Sequence, residues 1–460
     1  MNDENKRKTE VKGTKRRTFV KASTAFAGIS FLPSGMLFGA NTPSKQFRFA
    51  QIGCAGKGKS DMALTINAGA KLVAKCDVDK VRAKAALKGD QPFYDDYRKL
   101  LDKHHKEIDG VVVSTPDHTH GCIGLDAIKR GKHVYIQKPL ARTYQECQVL
   151  LEASKKYKVT TQMGNQGHSG NGLKVWKQMA DEKVFGEVQH VHAWSDRPVW
   201  PQGMKSYPRK ESIPSTLNWD SWTGPVALRD YSKKFLPFSW RGWWEYGAGA
   251  MGDMACHNMD PLFWIFELGL PSSVKAQADM AAGVAYPKWS IIEFKFDKNN
   301  KTGKPLTMTW YDGKKVPKLP SGIHPNRKPG KNGTLVVGSK MSVMGGSHAS
   351  RPLPIAITGK EYGTELKEQE KHWRDQTKKH RAGDHYGEWI KAAKANKPSA
   401  PGSCFDYSVP FTQAILLGCI ALRYPDQELK WDNTKKQFSN NSDANKWLSF
   451  KPRAGYSLSL

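Results

Sequence analysis

Two short patterns carry groups able to move a proton or to hold a phosphate. In Asp253-Met-Ala-Cys-His257 a carboxylate and an imidazole stand four residues apart, the spacing that brings two side chains to one face of a helix. Histidine titrates near neutrality, so His257 is a candidate general base and Asp253 a candidate partner that fixes its tautomer. Asp260, three residues further on, falls near the same pocket as a candidate ligand for a substrate hydroxyl. Taken alone, a D-x-x-x-H is more often a satisfied core pair. The second pattern is Gly53-Cys-Ala-Gly56-Lys57-Gly58, which follows a short apolar strand and precedes a helical pattern over residues 60–68. Its glycines let the backbone turn tightly against a pyrophosphate, whose charge the free N–H groups and dipole of the helix stabilise. The spacing is G-x-x-G-x-G, not the G-x-G-x-x-G fingerprint, so the turn depends on its context.

That context is a run of alternating elements. The strand over 71–77 ends in Asp77, 19 residues beyond Gly58, where a carboxylate accepts hydrogen bonds from the adenosine ribose and repels a 2′-phosphate. NAD is therefore expected in preference to NADP. Helices over 97–106, 118–130 and 144–157 alternate with strands over 108–114, 132–136 and 159–163, which predicts a doubly wound parallel sheet with its ligand at the strand C-termini. Thr115-Pro116-Asp117-His118-Thr119-His120 and Gln137-Lys138-Pro139 both fall at such ends. Asp117, His118 and His120 raise the question of a metal, but no further ligands stand at diagnostic spacing and none is expected. Past residue 165 the pattern changes. A helix over 172–183, an alternating run over 187–194 and candidate strands over 274–279, 290–296, 306–311 and 333–337 predict an α+β domain with an open, predominantly antiparallel sheet. Loops dense in aromatics, from Trp194 to Tyr246, suit either stacking on sugar rings or ordinary packing; His168, Arg241 and His385 are candidate polar contacts to a substrate. The charged stretch 365–381 reads as a solvated helix or loop.

Composition bounds the remaining classes. A chain of 460 residues with 38% apolar content can bury two or three domain cores. Its formal net charge of +29 is spread along the whole length, without zinc-finger spacing, an RNP-like motif or a basic heptad helix, so no nucleic-acid partner is expected. Seven cysteines without a C-x-x-C pair read as small buried hydrophobes. Near the N-terminus, Arg16-Arg17-Thr18-Phe19-Val20-Lys21 precedes a mildly apolar stretch to residue 40, the form of a twin-arginine export signal, which places the protein in the periplasm or outside the cell. Nothing else approaches the apolar run that a membrane span needs.

The glycine turn, the acidic end of the second strand, T-P-D-H-T-H, the K-P pair, Thr161-Gln-Met-Gly-Asn-Gln-Gly-His168, the segment 249–260 and His385-Tyr386 together resemble the Gfo/Idh/MocA oxidoreductases. With the export signal at 1–40, the resemblance implies a Rossmann domain at 45–165 and a catalytic α+β domain at 166–430, leaving a tail at 431–460. It implies that Lys138 lies between nicotinamide and substrate, beside the acid/base His257 and its partner Asp253. The cofactor would contact Gly53, Gly56, Lys57, Gly58, Asp77, Thr115, Pro116, His120, Gln137 and Lys138. Gln137 departs from the family, which usually carries Glu there. The implied activity is oxidation of a secondary hydroxyl of a sugar, with tightly held NAD recycled by an electron acceptor, or else an NAD-dependent glycosidase reaction by transient oxidation and elimination. A homo-oligomer is implied by the same resemblance.

Overall fold

The computed structural model describes residues 46–279 and 283–460; the expected export signal lies outside them. Six strands form the first sheet: β1 Arg48–Ile52, β2 Lys71–Cys76, β3 Phe93–Tyr94, β4 Gly110–Val113, β5 His133–Gln137 and β6 Thr161–Gly164. Between them run α1 Lys57–Asn67, α2 Tyr97–His104, α3 Asp117–Lys129 and α4 Tyr144–Lys156. All pairings are parallel and the order is 3-2-1-4-5-6, the doubly wound arrangement that opens a crevice at the strand C-termini where the order reverses.

Both faces of this sheet are buried, and the two-residue period of the strands sorts side chains between them. Ala50, Ile52, Val111, Val113, Val134 and Ile136 join the main core, while Phe49, Val112 and Tyr135 face the other way.

The second sheet has nine strands: β7 Val188–Ser195, β8 Ser273–Ala278, β9 Ser290–Phe296, β10 Leu306–Tyr311, β11 Asn332–Gly338, β12 Met341–Gly345, β13 Leu353–Ile357, β14 Glu428–Asp432 and β15 Gln437–Phe438. Its order is 13-12-11-7-10-9-8-14-15, antiparallel except where β7 meets β10. The accompanying helices are α5 Asn171–Asp181, α6 Trp219–Thr223, α7 Gly249–Asn258, α8 Asp260–Phe266, α9 Thr364–Lys379, α10 His385–Lys394 and α11 Phe405–Ala421. Among the described residues no helix is long and apolar enough to cross a membrane. All seven cysteines are buried free thiols. The charged stretch after residue 364 is helix α9, docked through Leu366 and Trp373.

Two expectations about boundaries are corrected. Residues 431–460 are no tail: Trp431 N donates to the Ser272 carbonyl at 2.8 Å and pairs with Phe438 of β15, Arg453 donates to Asp220 Oδ1 at 2.6 Å, and the Arg98 guanidinium lies 4.6 Å over the Tyr456 ring. These contacts pair a strand edge and surface charges that a free tail would leave without partners. Helix α10 belongs spatially to the first sheet. Its Tyr386, Trp389, Ile390 and Ala393 cover Phe47, Phe49, Val112 and Tyr135, with the Phe47 and Trp389 rings edge to face at 5.1 Å.

The glycine turn joins β1 to α1. Gly53 has φ +83°, and a Cβ there would lie 2.5 Å from the Ser114 carbonyl oxygen. Gly58, inside α1, lets helix and strand approach: its Cβ would stand 2.0 Å from the Gly53 carbonyl oxygen. Gly58→Ala is therefore expected to destabilise the protein by about 1–3 kcal/mol through displacement of α1. Gly269→Ala, which meets nothing within 4 Å, is expected to stay within about 0.5 kcal/mol of the parent. Urea unfolding of the two variants side by side checks the difference.

Candidate active site

Between the C-terminal ends of the parallel strands and the second domain lies a cavity of about 610 Å³. One end is walled by the glycine turn, Asp77, Asp79 and Arg82, the other by Lys138, Arg197, Arg241, Asp253, His257 and His348. At the first end α1 has Gly56 as its N-cap, with no side-chain cap and no acidic residue in its first turn; Gly58 N donates to the Ala55 carbonyl at 3.0 Å, and the positive end of the helix faces the cavity without a counter-charge of its own. A Cβ on Gly56 would meet nothing within 4 Å, which leaves open space above the turn. Asp77 Oδ2 accepts from the N–H groups of Cys54 at 2.8 Å and Ala55 at 3.2 Å, and Oδ1 accepts from Asp79 N at 3.0 Å. Burial raises its pKa against those bonds. A carboxylate offers about four acceptor positions, so Asp77 both ties down the turn and retains capacity for a ribose hydroxyl. These features fit a dinucleotide, with Gly53, Gly56, Lys57, Asp77, Thr115, Pro116, Gln137 and Lys138 all on the wall.

At the other end, the Lys138 ammonium donates to the Asp253 carboxylate at 2.7 Å and to the Asp253 carbonyl at 2.6 Å. Arg241 Nε stands 3.1 Å from the same carboxylate oxygen, and Arg197 Nε lies 3.7 Å from the other. Burial disfavours the Asp253 charge, but Lys138 and then Arg241 outweigh it and bring the carboxyl down to about 2. Asp117, on the same wall, is pushed up to about 7 by burial, against the pull of Arg241 and Lys138.

Asp253 is therefore the counter-ion of Lys138 and not the orienting partner of His257. An ammonium and two guanidinium groups compete for its oxygens, and an imidazole N–H does not displace them. His257 Nδ1 is buried without a hydrogen-bond partner, and its ring stacks on His348 with centroids 3.9 Å apart. Burial, then the Lys138 charge, holds this imidazole well below its ordinary pKa, hence neutral. The structure thus brings Lys138, Arg241, Asp253 and His257 together.

Other expected contacts lie elsewhere. Asp260 faces away from the cavity, accepting from Tyr407 OH at 2.6 Å and pairing with His168 Nδ1 at 3.0 Å, so these two satisfy each other in the core. His385 Nε2 donates to the Met163 carbonyl at 2.8 Å, with Ser169 Oγ 2.7 Å from Nδ1; burial lowers its pKa to about 3. His120 sits between the carbonyls of Pro139 and Thr115, each at 2.9 Å, and burial brings it down to about 4. Its ring braces the two strand-end loops and contributes nothing to the cavity wall, and Gly58 acts through packing alone. Most loop tryptophans form a separate apolar cluster, and only Trp222, Phe238 and Trp240 reach the cavity. Sequence reasoning missed His348, Gln166 and Tyr456 on the wall, and Asp61 behind it. His348 sits in a loop of left-handed residues with φ +60°, for which the sequence offers only Gly345-Gly346 as a signal.

Parts of this chain match known proteins. Residues 47–165 match the oxidoreductase family's NAD-binding Rossmann fold and residues 186–302 match its C-terminal alpha/beta domain, together just over half of the chain. The chain belongs to the Gfo/Idh/MocA oxidoreductase family. It is 30% identical to inositol 2-dehydrogenase of Salmonella typhimurium over 128 residues, 27% of this chain and 38% of that protein. It is 32% identical to glycosyl hydrolase family 109 protein 1 of Shewanella sp. over 97 residues, 21% of each chain. These alignments span well under half the length of either relative. In fold the chain is similar to the WlbA dehydrogenase of Chromobacterium violaceum, solved with NADH and UDP-GlcNAcA: TM-score 0.59, 18% identity, 86% of this chain and 99% of that one.

Two outcomes follow from the charges. Asp253→Asn leaves Lys138 buried without its counter-ion and is expected to cost about 3 kcal/mol or more, measured by chemical unfolding at pH 7. Because the folded pKa is depressed, the native carboxylate's contribution is present above about pH 4 and lost as pH falls through 2. In NMR titrations the His257 ring is expected to stay neutral well below pH 6.5, and Lys138→Met to move its titration upward.

Proposed function

We propose that the protein oxidises a secondary hydroxyl of a sugar or glycoside to a ketone, using NAD that it holds tightly. The carrying observation is the placing of a neutral His257 beside the Lys138–Asp253 ion pair at the inner end of a dinucleotide cavity. Bound NAD would accept the hydride from the carbinol carbon. The chain's own groups account for the proton and the charge. His257, uncharged and on the cavity wall, takes the hydroxyl proton. Lys138 stabilises the developing alkoxide electrostatically, and Asp253 keeps that ammonium fixed without adding net charge. Trp240 and Phe238, with the Arg241 guanidinium 4.1 Å and 4.5 Å from their ring centroids, offer an apolar wall with a cationic edge to a sugar ring.

The hydroxyl at C3 is the first position proposed, giving a 3-keto-sugar. Export by the twin-arginine route to the periplasm belongs to the same proposal, supported by the Arg16-Arg17 segment, and an external electron acceptor would then re-oxidise the cofactor. The likeness to a glycosyl hydrolase family 109 protein supports a second reading, in which transient oxidation permits elimination of the aglycone.

Incubation of purified protein with a panel of glucosides and an artificial acceptor is expected to yield a product two hydrogens lighter by mass spectrometry. His257→Ala is expected to reduce turnover at least 100-fold while bound dinucleotide is retained. Release of nitrophenol from a nitrophenyl glycoside without net oxidation would favour the glycosidase instead, and unchanged turnover in His257→Ala would remove His257 from the mechanism.

A further inference from the structure

Another buried carboxylate lies behind the cavity wall, on the inner face of α1. The side chain of Asp61 is fully enclosed and has four donors: Lys57 Nζ at 2.8 Å, Ser114 Oγ at 2.7 Å, Gln137 Nε2 at 2.9 Å and Tyr386 OH at 2.6 Å. They come from the glycine turn, the end of β4, the end of β5 and helix α10, so one side chain ties the start of α1 to two strand ends and to the helix that covers the sheet. A carboxylate this deep costs several kcal/mol unless so satisfied.

Gln137 is the informative partner. Its Nε2 donates to Asp61, and its Oε1 accepts from the peptide N–H of Lys138 at 3.3 Å. The amide is walled on its far side by Gly164, where a Cβ would lie 2.6 Å from Nε2. Asp61 therefore decides which end of the amide faces Lys138. A glutamate at 137 would set two carboxylates about 3 Å apart, and both could not be ionised. The neutral residue at 137 and the charged residue at 61 are one arrangement.

We propose that Asp61 is a positioning residue for Lys138, acting through the Gln137 amide, and supplies from α1 the carboxylate that position 137 lacks. The role rests on the reading that Lys138 acts on the substrate oxygen, but the arrangement is testable without turnover. The titratable groups facing Asp61 are Lys57, Tyr386 and Tyr135.

The test uses Asp61→Asn, Gln137→Glu and the double variant in the full chain. Gln137→Glu is expected to melt several degrees below the parent at pH 8 and closer to it at pH 6, because the crowded pair takes up a proton that the unfolded chain releases. Asp61→Asn/Gln137→Glu, which swaps amide and carboxylate, is expected to melt like the parent at both pH values. With selective lysine labelling, the Lys138 amide resonance is expected to shift in each single variant and return in the double. Turnover on a sugar that the parent oxidises is expected to fall at least tenfold in each single variant and recover to within about threefold in the double. A double variant no better than the worse single in melting or in the Lys138 resonance overturns the proposal, as does recovery of both without recovery of turnover. If the parent oxidises no sugar, return of melting and resonance still supports the positioning of Lys138, and only the proposed function fails.

Discussion

An ammonium group buried between two domains must have a carboxylate within reach, and the Lys138–Asp253 pair meets that condition from opposite sides. Lys138 follows the end of β5 in the parallel sheet, and Asp253 lies on α7 of the second domain. Their 2.7 Å contact joins the two domains on the cavity wall. The helix that presents Asp253 presents His257 one turn later, so the ion pair also fixes the depth and direction of the imidazole. Arg241 and Arg197 crowd the same carboxylate and keep it ionised.

Around this contact the parallel sheet acts as a frame with two covered faces, and the C-terminal half of the chain supplies much of the cover. Helix α10 seals one face and brings Tyr386 to Asp61; residues 453–456 return to α2 and α6 and put Tyr456 on the cavity wall. The dinucleotide domain is thus completed by residues more than 200 positions beyond its last strand, because the strand ends leave charges and aromatic faces that local sequence does not cover.

Much of this was legible in the residues. Apart from the two-residue β3, which was missed, the strand and helix alternation up to β6 followed from apolar runs and turn glycines, and the turn at Gly53 and the acid at Asp77 followed from spacing. Strands β12 to β15 were missed because they are short or lie beyond irregular loops, where a two-residue period has too few repeats to show. Helical spacing placed Asp253 and His257 on one face correctly, but spacing carries no information about competing charges from elsewhere in the chain. The same blindness put His168, Asp260 and His385 in the cavity, whereas each finds a core partner far away in sequence. Asp61 had a signal, since it shares the buried face of α1 with Gly58 and Thr65, and a carboxylate on such a face requires donors.

The return of residues 453–456 to the cavity has a temporal side. The wall that includes Tyr456 cannot be finished until the ribosome has moved past that codon and the segment has emerged. A complete cavity wall is thereby a property of a chain that includes residues 453–456, not of a nascent N-terminal half.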